Sequence, residues 1–257
     1  MTGNAADCTT SPHGGAWAWA VAPMTARRAA LILGAGALAT LALLPIDRAA
    51  MTMLGPFGGL AQNLGGDVRR ELEFLQQFGA ITSMAIVGVV IWVLDPARRA
   101  HVVDLFAAIA LNAVLCNALK IFFGRPRPRV VLGGNVHEGY ESATRLAFSW
   151  NEYPLPRDGG YLWARSFEVW RGISSDLWSL PSSHAAAAAC AAAALSRLYP
   201  RLAPLVVVLA AITVCARVIL GAHYPSDVVA GACIGWVIGA VMMERRWMSR
   251  KLGSPAS

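Results

Sequence analysis

Three short clusters of polar residues, far apart in the chain, hold the side chains that a phosphate-cleaving site needs. They are Lys120-IFFGRP-Arg127-Pro128, Pro181-Ser182-Ser183-His184 and Arg217-VILGA-His223-YPS-Asp227. Lysine and arginine give charge-assisted hydrogen bonds to phosphoryl oxygens. Two histidines supply one nucleophile and one proton donor. Asp227, four residues after His223, is placed to orient that imidazole, as a carboxylate does in a Ser-His-Asp triad.

The order and spacing of the three clusters resemble the type 2 phosphatidic acid phosphatase (PAP2) family, in its membrane-bound lipid phosphatase branch. The family pattern is K-x6-R-P, then P-S-G-H, then S-R-x5-H-x3-D. Two residues depart from it, since Ser183 replaces a usual Gly and Ala216 replaces a usual Ser. Ser183 still offers its backbone N–H to phosphate, and the hydroxyl lost at Ala216 weakens one hydrogen bond by about 1 kcal/mol. We therefore expect an intact site.

The resemblance implies a reaction that uses neither a metal nor a cofactor and passes through a phosphohistidine. His223, held by Asp227, would attack phosphorus in line. His184 would protonate the leaving oxygen and then activate water against the intermediate. The residues implied to bind the phosphoryl oxygens are Lys120, Arg127, Ser182, Ser183 and Arg217. Their positive charge would replace the Mg²⁺ used in other phosphoryl transfers.

Each of these residues also has an ordinary structural role that it can fill alone. A lysine at a helix end often snorkels to the membrane surface, and Ser182 is a typical N-cap. Asp227 is an acid in a first helical turn, which the helix dipole favours. The combination of all three clusters at the family spacing favours the phosphate site. Arg125 and Arg129 flank the first cluster without matching the pattern, so we expect both on the solvated surface.

The composition indicates a membrane protein. Of the 257 residues, 56% are hydrophobic and 14% are charged, whereas soluble domains average about 25% charged residues. The formal net charge of +7 does not indicate a nucleic-acid partner, because the basic residues flank apolar segments and form no continuous patch with interleaved aromatics. The five cysteines lack metal-ligand spacing and are expected to be small apolar core residues.

The predicted fold class is all-α, a polytopic membrane protein with six transmembrane helices. Each apolar segment is close to the roughly 20 residues that cross a bilayer. The six segments are 29–46, 78–95, 102–124, 183–199, 202–221 and 226–244. The predicted divisions are a mobile leader over 1–28, the membrane phosphatase domain over 29–246 and a cytoplasmic tail over 247–257. A signal peptide at the first segment is disfavoured, since its basic pair comes late and the following chain is itself polytopic.

Basic residues near short connections set the predicted orientation. Arginines precede the first segment, join the second to the third and the fourth to the fifth, and follow the sixth. With six spans all of them lie on one side, which is then cytoplasmic. The loops 46–77 and 125–182 face outward, and every residue of the three clusters falls on that outer face. The sequence thus predicts an inner (plasma) membrane protein with its active site toward the periplasm.

Local patterns predict how some segments pack. The fourth segment is Ala-rich and is predicted to be an interior helix, since small residues let neighbours approach closely. Gly231, Gly235 and Gly239 repeat every four residues and predict close packing of the sixth segment. Residues 64–75 carry an amphipathic helical pattern, expected at the membrane interface. The four tryptophans of the 125–182 loop fit either an interfacial belt or a lid over a lipid headgroup.

These features predict a phosphatase that acts on a lipid phosphate or diphosphate in contact with the bilayer. The headgroup would be cleaved at the outer face, with the tails between helices. Candidate substrates are undecaprenyl diphosphate, phosphatidylglycerophosphate and phosphatidic acid, with a lipid A phosphate as the alternative. Vanadium-dependent haloperoxidases share the constellation, but they are soluble. A non-catalytic membrane transporter or scaffold would have no reason to carry two histidines and three cations on one face.

Overall fold

The computed structural model describes residues 16–133, 148–157, 159–171, 173 and 175–252, and this part of the chain is mostly helical. Its α-helices are α1 (Ala18–Val21), α2 (Ala26–Leu43), α3 (Asp47–Leu54), α4 (Gly66–Leu75), α5 (Ile81–Leu94), α6 (Arg99–Phe123), α7 (Pro128–Leu132), α8 (Ser183–Leu198), α9 (Ala203–Ile219), α10 (Pro225–Arg245) and α11 (Trp247–Leu252). Short 3₁₀ helices lie at Leu60–Asn63, Gln76–Gly79, Pro96–Arg98, Val169–Arg171, Ser175–Leu177 and Pro200–Leu202. Two strands, β1 (Tyr153–Arg157) and β2 (Gly160–Ala164), form an antiparallel hairpin.

Four helical stretches of the described chain are long and apolar enough to cross a membrane, which identifies a membrane protein. They are Ala26–Leu43, Pro96–Leu132, Pro200–Ile219 and Pro225–Arg250. A fifth arises if the pair Gly66–Gly79 and Ile81–Leu94, bent by 60°, is one span. The fourth predicted segment corresponds to α8, which has only 16 residues. The count of six spans therefore stays a prediction.

The helix α8 lies in the interior of the bundle, as its alanine-rich sequence predicts. All residues from 185 to 196 are buried, and α10 packs along them. A Cβ atom added at Gly235 would overlap the carbonyl oxygen of Ala186. Cβ atoms at Gly231 and Gly239 would likewise overlap the carbonyl oxygens of Ser182, the N-cap of α8, and of Cys190, respectively. The predicted close packing through glycines is confirmed. It places the start of α10 beside the start of α8, where two of the three sequence clusters lie.

The amphipathic pattern over residues 64–75 is confirmed as a helix, α4. Together with the following 3₁₀ turn, Gln76–Gly79, it packs against α9, and the turn also packs against α8. A Cβ atom at Gly79 would overlap the carbonyl oxygen of His184. This close approach fixes the end of the 46–77 loop beside the first turn of α8.

The β-hairpin departs from the all-α prediction. It lies in the 125–182 loop, where Tyr153 pairs with Ala164 at the open end. The sequence Asp-Gly-Gly at 158–160 is a strong hairpin signal, and Gly159 adopts a φ of +84°, which residues with a side chain rarely do. The hairpin packs on α7 in a small apolar cluster. Local turn chemistry, which a search for membrane spans does not detect, therefore favours this hairpin.

Both ends of the described chain pack against the bundle. Residues 1–15 of the predicted mobile leader lie outside the described residues, but 16–28 contribute α1 and the start of α2. Ala20 in α1 is buried, and its carbonyl oxygen accepts a hydrogen bond from Arg197 Nη1 at 3.1 Å. In the predicted tail, α11 donates the N–H of Met248 to Oδ1 of Asp104 at 2.9 Å. Specific polar contacts thus hold both of these segments against the bundle.

Candidate active site

The first sequence cluster spans the end of α6 and the start of α7. Lys120 lies in the last turn of α6 and is buried, with 7% of its surface exposed. Gly124 ends this helix in the left-handed conformation (φ 55°), and its N–H donates to the carbonyl oxygen of Lys120 at 2.9 Å. The turn redirects the chain, so that Arg127 at the start of α7 comes back toward the lysine.

The second and third clusters are joined by backbone hydrogen bonds. Ser182 is the N-cap of α8, and its N–H donates to the carbonyl oxygen of Asp227, in the first turn of α10, at 3.0 Å. Arg217 lies in the last turn of α9, and its carbonyl oxygen accepts the N–H of His223 at 3.1 Å. These bonds bring the ends of three helices to one place.

Lys120, Arg127 and Arg217 form a cluster of like charges. The charges of Arg127 and Arg217 both act on Lys120, and all three charges act on the imidazole of His184. Within the part of the chain that the structure describes, none of the three cations forms an ion pair with a carboxylate. Like charges that lie together without an ion-pair partner make a binding place for an anion.

Neutral acceptors hold two of these cations. Nε of Arg127 donates to the carbonyl oxygen of Ser175 at 2.8 Å. Nη1 of Arg217 donates to Oε1 of Gln76 at 2.8 Å. An amide or carbonyl oxygen fixes a guanidinium without cancelling its charge. Gln76 belongs to no sequence cluster, and only the packing of the 46–77 loop against α9 places it here.

The start of α8 adds hydrogen-bond donors. Oγ of Ser182 accepts the N–H of Ala185 at 3.5 Å, which leaves the hydroxyl proton for another acceptor. Ser183 and His184 occupy the first helical turn, where backbone N–H groups have no partner within the helix and the dipole attracts anions. Ser182 is buried, whereas Ser183 and His184 are half-buried. The arrangement suits a phosphoryl group held at the helix end.

His223 lies between α9 and α10, with 1% of its surface exposed. Its Nδ1 is 3.6 Å from Oδ2 of Asp227, slightly beyond hydrogen-bond length, and has no hydrogen-bond partner among the described residues. Burial lowers the pKa of His223 to about 3, nearby arginine charges add to this effect, and Asp227 opposes it. The imidazole is therefore neutral at physiological pH, the state in which a nitrogen lone pair attacks phosphorus.

Arg125 contradicts the expectation of a solvated residue, because it is fully buried. Its Nη1 donates to Oδ1 of Asp227 and its Nη2 to Oδ2 of Asp47, both at 2.7 Å. Two buried carboxylates stabilise this guanidinium in the interior. The only feature of the sequence that sets Arg125 apart is the repeated Arg-Pro at residues 125–128. Arg129 is exposed, as expected, and its Nη2 lies 2.6 Å from Oδ1 of Asp176.

Sequence reasoning also missed Asp47, which opens α3 and is fully buried. Burial raises the pKa of Asp47, and the Arg125 guanidinium opposes the shift. Nothing in the sequence around Asp47 marks it, since a single acid after an apolar segment is common. Ser179 was missed for the same reason, although its hydroxyl donates to Oδ2 of Asp227 at 2.5 Å.

Two further observations concern the residue that replaces the pattern's serine and the side chains that could bind a metal. Ala216, which stands where the pattern has Ser, is fully buried in α9. Across the described residues, no three His, Cys, Asp or Glu side chains come together as a metal site requires.

Comparisons with known proteins identify the family of this chain. Residues 101–251, more than half of the chain, match the PAP2 superfamily. The first transmembrane PAP2 type phosphatidylglycerolphosphate phosphatase from Bacillus subtilis is 19% identical, with a TM-score of 0.52 over 84% of this chain and 90% of that one. LpxE from Aquifex aeolicus is 20% identical, with a TM-score of 0.48 over 71% of this chain and 89% of that one. Among functionally curated proteins, none matches this sequence.

Proposed function

Because the chain belongs to the PAP2 superfamily, we propose that it is an integral-membrane phosphatase that removes a phosphomonoester or terminal phosphate from a lipid. The observation that carries this proposal is a cluster of three cations, Lys120, Arg127 and Arg217, beside the two histidines. Within the described chain, none of these three cations forms an ion pair with a carboxylate. A phosphoryl group supplies the missing negative charge. The two histidines supply the chemistry.

In the proposed mechanism, neutral His223 attacks phosphorus while the bond from phosphorus to the leaving oxygen breaks. His184 carries a proton when the negatively charged phosphoryl group is bound beside it, and it gives that proton to the leaving oxygen as a general acid. Water then attacks the phosphohistidine, His184 takes a proton from the water, and the nitrogen of His223 leaves with its electron pair. Asp227 holds Nδ1 of His223 and stabilises the positive charge that the imidazole carries in the intermediate.

The phosphoryl oxygens are bound by Lys120, Arg127 and Arg217, by the Ser182 hydroxyl and by the backbone N–H of Ser183. This set combines charge-assisted hydrogen bonds with the positive end of the α8 dipole. Charge on the equatorial oxygens of the transition state is then neutralised by fixed groups of the protein. The reaction needs no divalent ion for that purpose.

A cavity supports an amphiphilic substrate. It has a volume of about 280 Å³, lies between α2, α6 and α10, and extends to Pro181, the residue before Ser182. Its apolar lining includes Leu33, Ala37, Leu119, Phe123, Leu180 and Cys233. An apolar cavity that begins next to a phosphate site suits a molecule with a phosphorylated head and a hydrocarbon tail. We infer that the cavity holds part of a substrate tail.

The candidate lipids are phosphatidylglycerophosphate, phosphatidic acid and undecaprenyl diphosphate, with a lipid A phosphate as the alternative. The likeness to the Bacillus subtilis structure concerns the fold, so it does not choose among them. A haloperoxidase-like reaction is a weaker candidate, because the known enzymes are soluble and this chain spans a membrane. A function as a transporter or scaffold would not explain why two histidines lie beside the cation cluster.

The phosphatase domain is proposed to cover residues 29–246, with six spans in the inner membrane. The pattern of arginines at the short connections supports a cytoplasmic side opposite to the active site. The ends of α6 and α9 and the starts of α8 and α10, which carry the site, would then face the periplasm. Residues 247–257 would be cytoplasmic.

The experiment that tests the function is a phosphate-release panel over the candidate lipids, in detergent with EDTA present. At least one lipid phosphate should be hydrolysed at an undiminished rate under chelation, because the cations already neutralise the phosphate. Orthovanadate should inhibit as a mimic of five-coordinate phosphorus. Loss of activity in EDTA with recovery in Mg²⁺ would contradict the mechanism.

Occupation of the cavity by a tail is tested with two neighbouring positions of α2. Ala37→Trp fills the cavity and should raise KM for a long-chain lipid phosphate by about tenfold, while hydrolysis of p-nitrophenyl phosphate stays unchanged. The control is Leu38→Trp, because Leu38 is 70% exposed on the outer face of the same helix. If both variants had the same KM for the long-chain lipid phosphate, the tail would not bind in this cavity.

A further inference from the structure

Arg125 connects two buried carboxylates on different helices. Its Nη1 donates a hydrogen bond to Asp227 in α10, and its Nη2 donates one to Asp47 in α3. Both hydrogen bonds are 2.7 Å long. None of the three side chains has exposed surface. A guanidinium directs its hydrogen bonds in one plane, so it holds both carboxylates in a fixed relative position. Arg125 thereby ties the first turn of α10 to the start of α3.

Ser226 completes this arrangement from the position before Asp227. Its hydroxyl accepts a hydrogen bond from Nη1 of Arg125 at 2.7 Å and donates one to Oδ2 of Asp47. Its backbone N–H donates to Oδ1 of Asp47 at 3.1 Å. Both oxygens of Asp47 accept hydrogen bonds, which is the pattern of an ionised carboxylate. Asp47 thus holds both the arginine and the backbone next to Asp227.

Asp227 is in consequence fixed at both oxygens. Oδ1 accepts from Arg125, and Oδ2 accepts from the Ser179 hydroxyl at 2.5 Å and from the Tyr224 N–H at 2.9 Å. The carboxylate cannot rotate without breaking these bonds, so Oδ2 stays beside Nδ1 of His223. The guanidinium carbon of Arg125 also lies 4.1 Å from the centre of the Tyr224 ring. Arg125 therefore contacts both Asp227, the partner of His223, and Tyr224, the residue that follows His223 in the chain.

The charges of these three side chains do not cancel. Among the described residues, two carboxylates share the Arg125 guanidinium, so Asp47, Arg125 and Asp227 together carry one net negative charge. The imidazole of His223 becomes positive when its nitrogen bonds to phosphorus, and a nearby negative charge stabilises that state. If Arg125 were paired with Asp227 alone, its positive charge would cancel most of the stabilisation that Asp227 gives to a positive His223. Because Asp47 also pairs with Arg125, Asp227 keeps more of its negative charge for His223.

We propose that Arg125 and Asp47 are positioning residues of the phosphatase reaction, which fix Asp227 and set the negative charge that it presents to His223. This role rests on the proposed function, in which His223 is the nucleophile. Neither residue belongs to the positions that the family pattern implies, and each acts through Asp227.

The first test compares two buried carboxylates. Asp104 is as fully buried as Asp47 and accepts the backbone N–H groups of Met248 and Ser249, but it lies sixteen residues before Lys120 on α6, about 24 Å away along the helix. Asp47→Asn should slow phosphoenzyme formation in a single turnover by about 10- to 100-fold with KM nearly unchanged, since small misplacements of catalytic groups cost this much. Asp104→Asn should lower thermal stability alone. Unchanged phosphorylation in Asp47→Asn would overturn the proposal.

The second test asks whether the effect passes through Asp227. In an Asp227→Asn background, Asp47→Asn should cause no further loss of rate, because residues that act as one unit are not additive. Losses that multiply would show that Asp47 acts by another route and would overturn the proposal. If Asp47→Asn does not fold, Ser226→Ala and Arg125→Lys serve in the same cycle, since each removes part of the same hydrogen bonding.

Failure of the proposed function is separable from failure of this inference. A wild-type enzyme that hydrolyses no lipid phosphate contradicts the proposed function itself, and one that hydrolyses lipid phosphate without becoming labelled at His223 contradicts the proposed mechanism. A wild-type enzyme that labels His223, with Asp47→Asn and Ser226→Ala labelling at the same rate, contradicts only the positioning role.

Discussion

His223 lies between two groups of polar side chains whose charges are organised in opposite ways. The anchor side consists of Asp47, Arg125, Ser179 and Asp227. The phosphate side consists of Lys120, Arg127, His184 and Arg217. On the anchor side opposite charges are paired and fully buried, at hydrogen-bond distances of 2.5 to 2.7 Å. On the phosphate side like charges lie together, and the two arginines are held by neutral oxygens.

The difference shows how the site divides its tasks. The anchor side is complete within the protein, so its geometry is set before any substrate arrives and costs no reorganisation during the reaction. The phosphate side carries self-repulsion that an anionic ligand relieves. Substitutions on the two sides should therefore have opposite effects on stability, even where both reduce activity.

The largest effect is expected at the histidines. His223→Ala should abolish turnover on every substrate, because no other group forms the covalent intermediate. His184→Ala should lose about 10²–10⁴-fold on a lipid monophosphate but much less on p-nitrophenyl phosphate, whose leaving group does not need a proton. The measurement is single-turnover phosphate release, with His101→Ala, near the far end of α6, as the control. Equal losses of His184→Ala on both substrates would assign that residue to phosphate binding instead.

The next effect concerns stability and compares one substitution on each side. Arg125→Met leaves two buried carboxylates without their cation and should lower the free energy of unfolding by about 3–5 kcal/mol. Lys120→Met has a similar shape, removes repulsion within the cation cluster and should raise the melting temperature in phosphate-free detergent while it impairs turnover.

A melting temperature that falls in both variants would contradict the contrast between the two sides. Orthovanadate sharpens the comparison. It should raise the melting temperature of the wild type more than that of Lys120→Met, because the anion relieves repulsion that this variant no longer has.

The smallest effect is a pH dependence at the junction of the two sides. The pKa of His223 is about 3 in the folded protein and 6.5 ordinarily. Below pH 6.5 the unfolded chain gains a proton that the folded chain does not take up, so stability is complete above that pH and falls as pH decreases toward 3. The unfolding free energy should drop by about 1 kcal/mol between pH 6.5 and 5.5 relative to His223→Gln. If the unfolding free energies of the wild type and His223→Gln changed in parallel with pH, the claim that the buried His223 is neutral would be wrong.

The sequence predicts that the residues of the phosphate side lie together, because they stand at fixed spacing in three contiguous clusters. Helix ends carry these clusters, and the span pattern already places those ends together. The close contact of α10 with α8 is predicted for a similar reason, since Gly231, Gly235 and Gly239 mark one face of a helix. In each case the signal is a spacing of residues that are close together in the sequence.

The anchor side was not predictable in this way. Arg125 reaches partners 78 and 102 residues away in the chain, Asp47 and Asp227. Such pairs are decided by tertiary packing, and no local pattern tells a buried arginine from a solvated one. The hairpin in the 125–182 loop was missed although Asp-Gly-Gly marks it, because span analysis treats a connection as structureless.

The most direct measurement of the central account is identification of the phosphorylated residue. The enzyme is mixed with a ³²P-labelled lipid monophosphate in EDTA and quenched in alkaline detergent, where a phosphohistidine survives, and the labelled peptide is then mapped. The account predicts an alkali-stable, acid-labile label on the peptide that contains His223. The label should be absent in His223→Ala and should form at the wild-type rate under chelation. A label on another residue, or steady turnover with no labelled enzyme at any quench time, would contradict it.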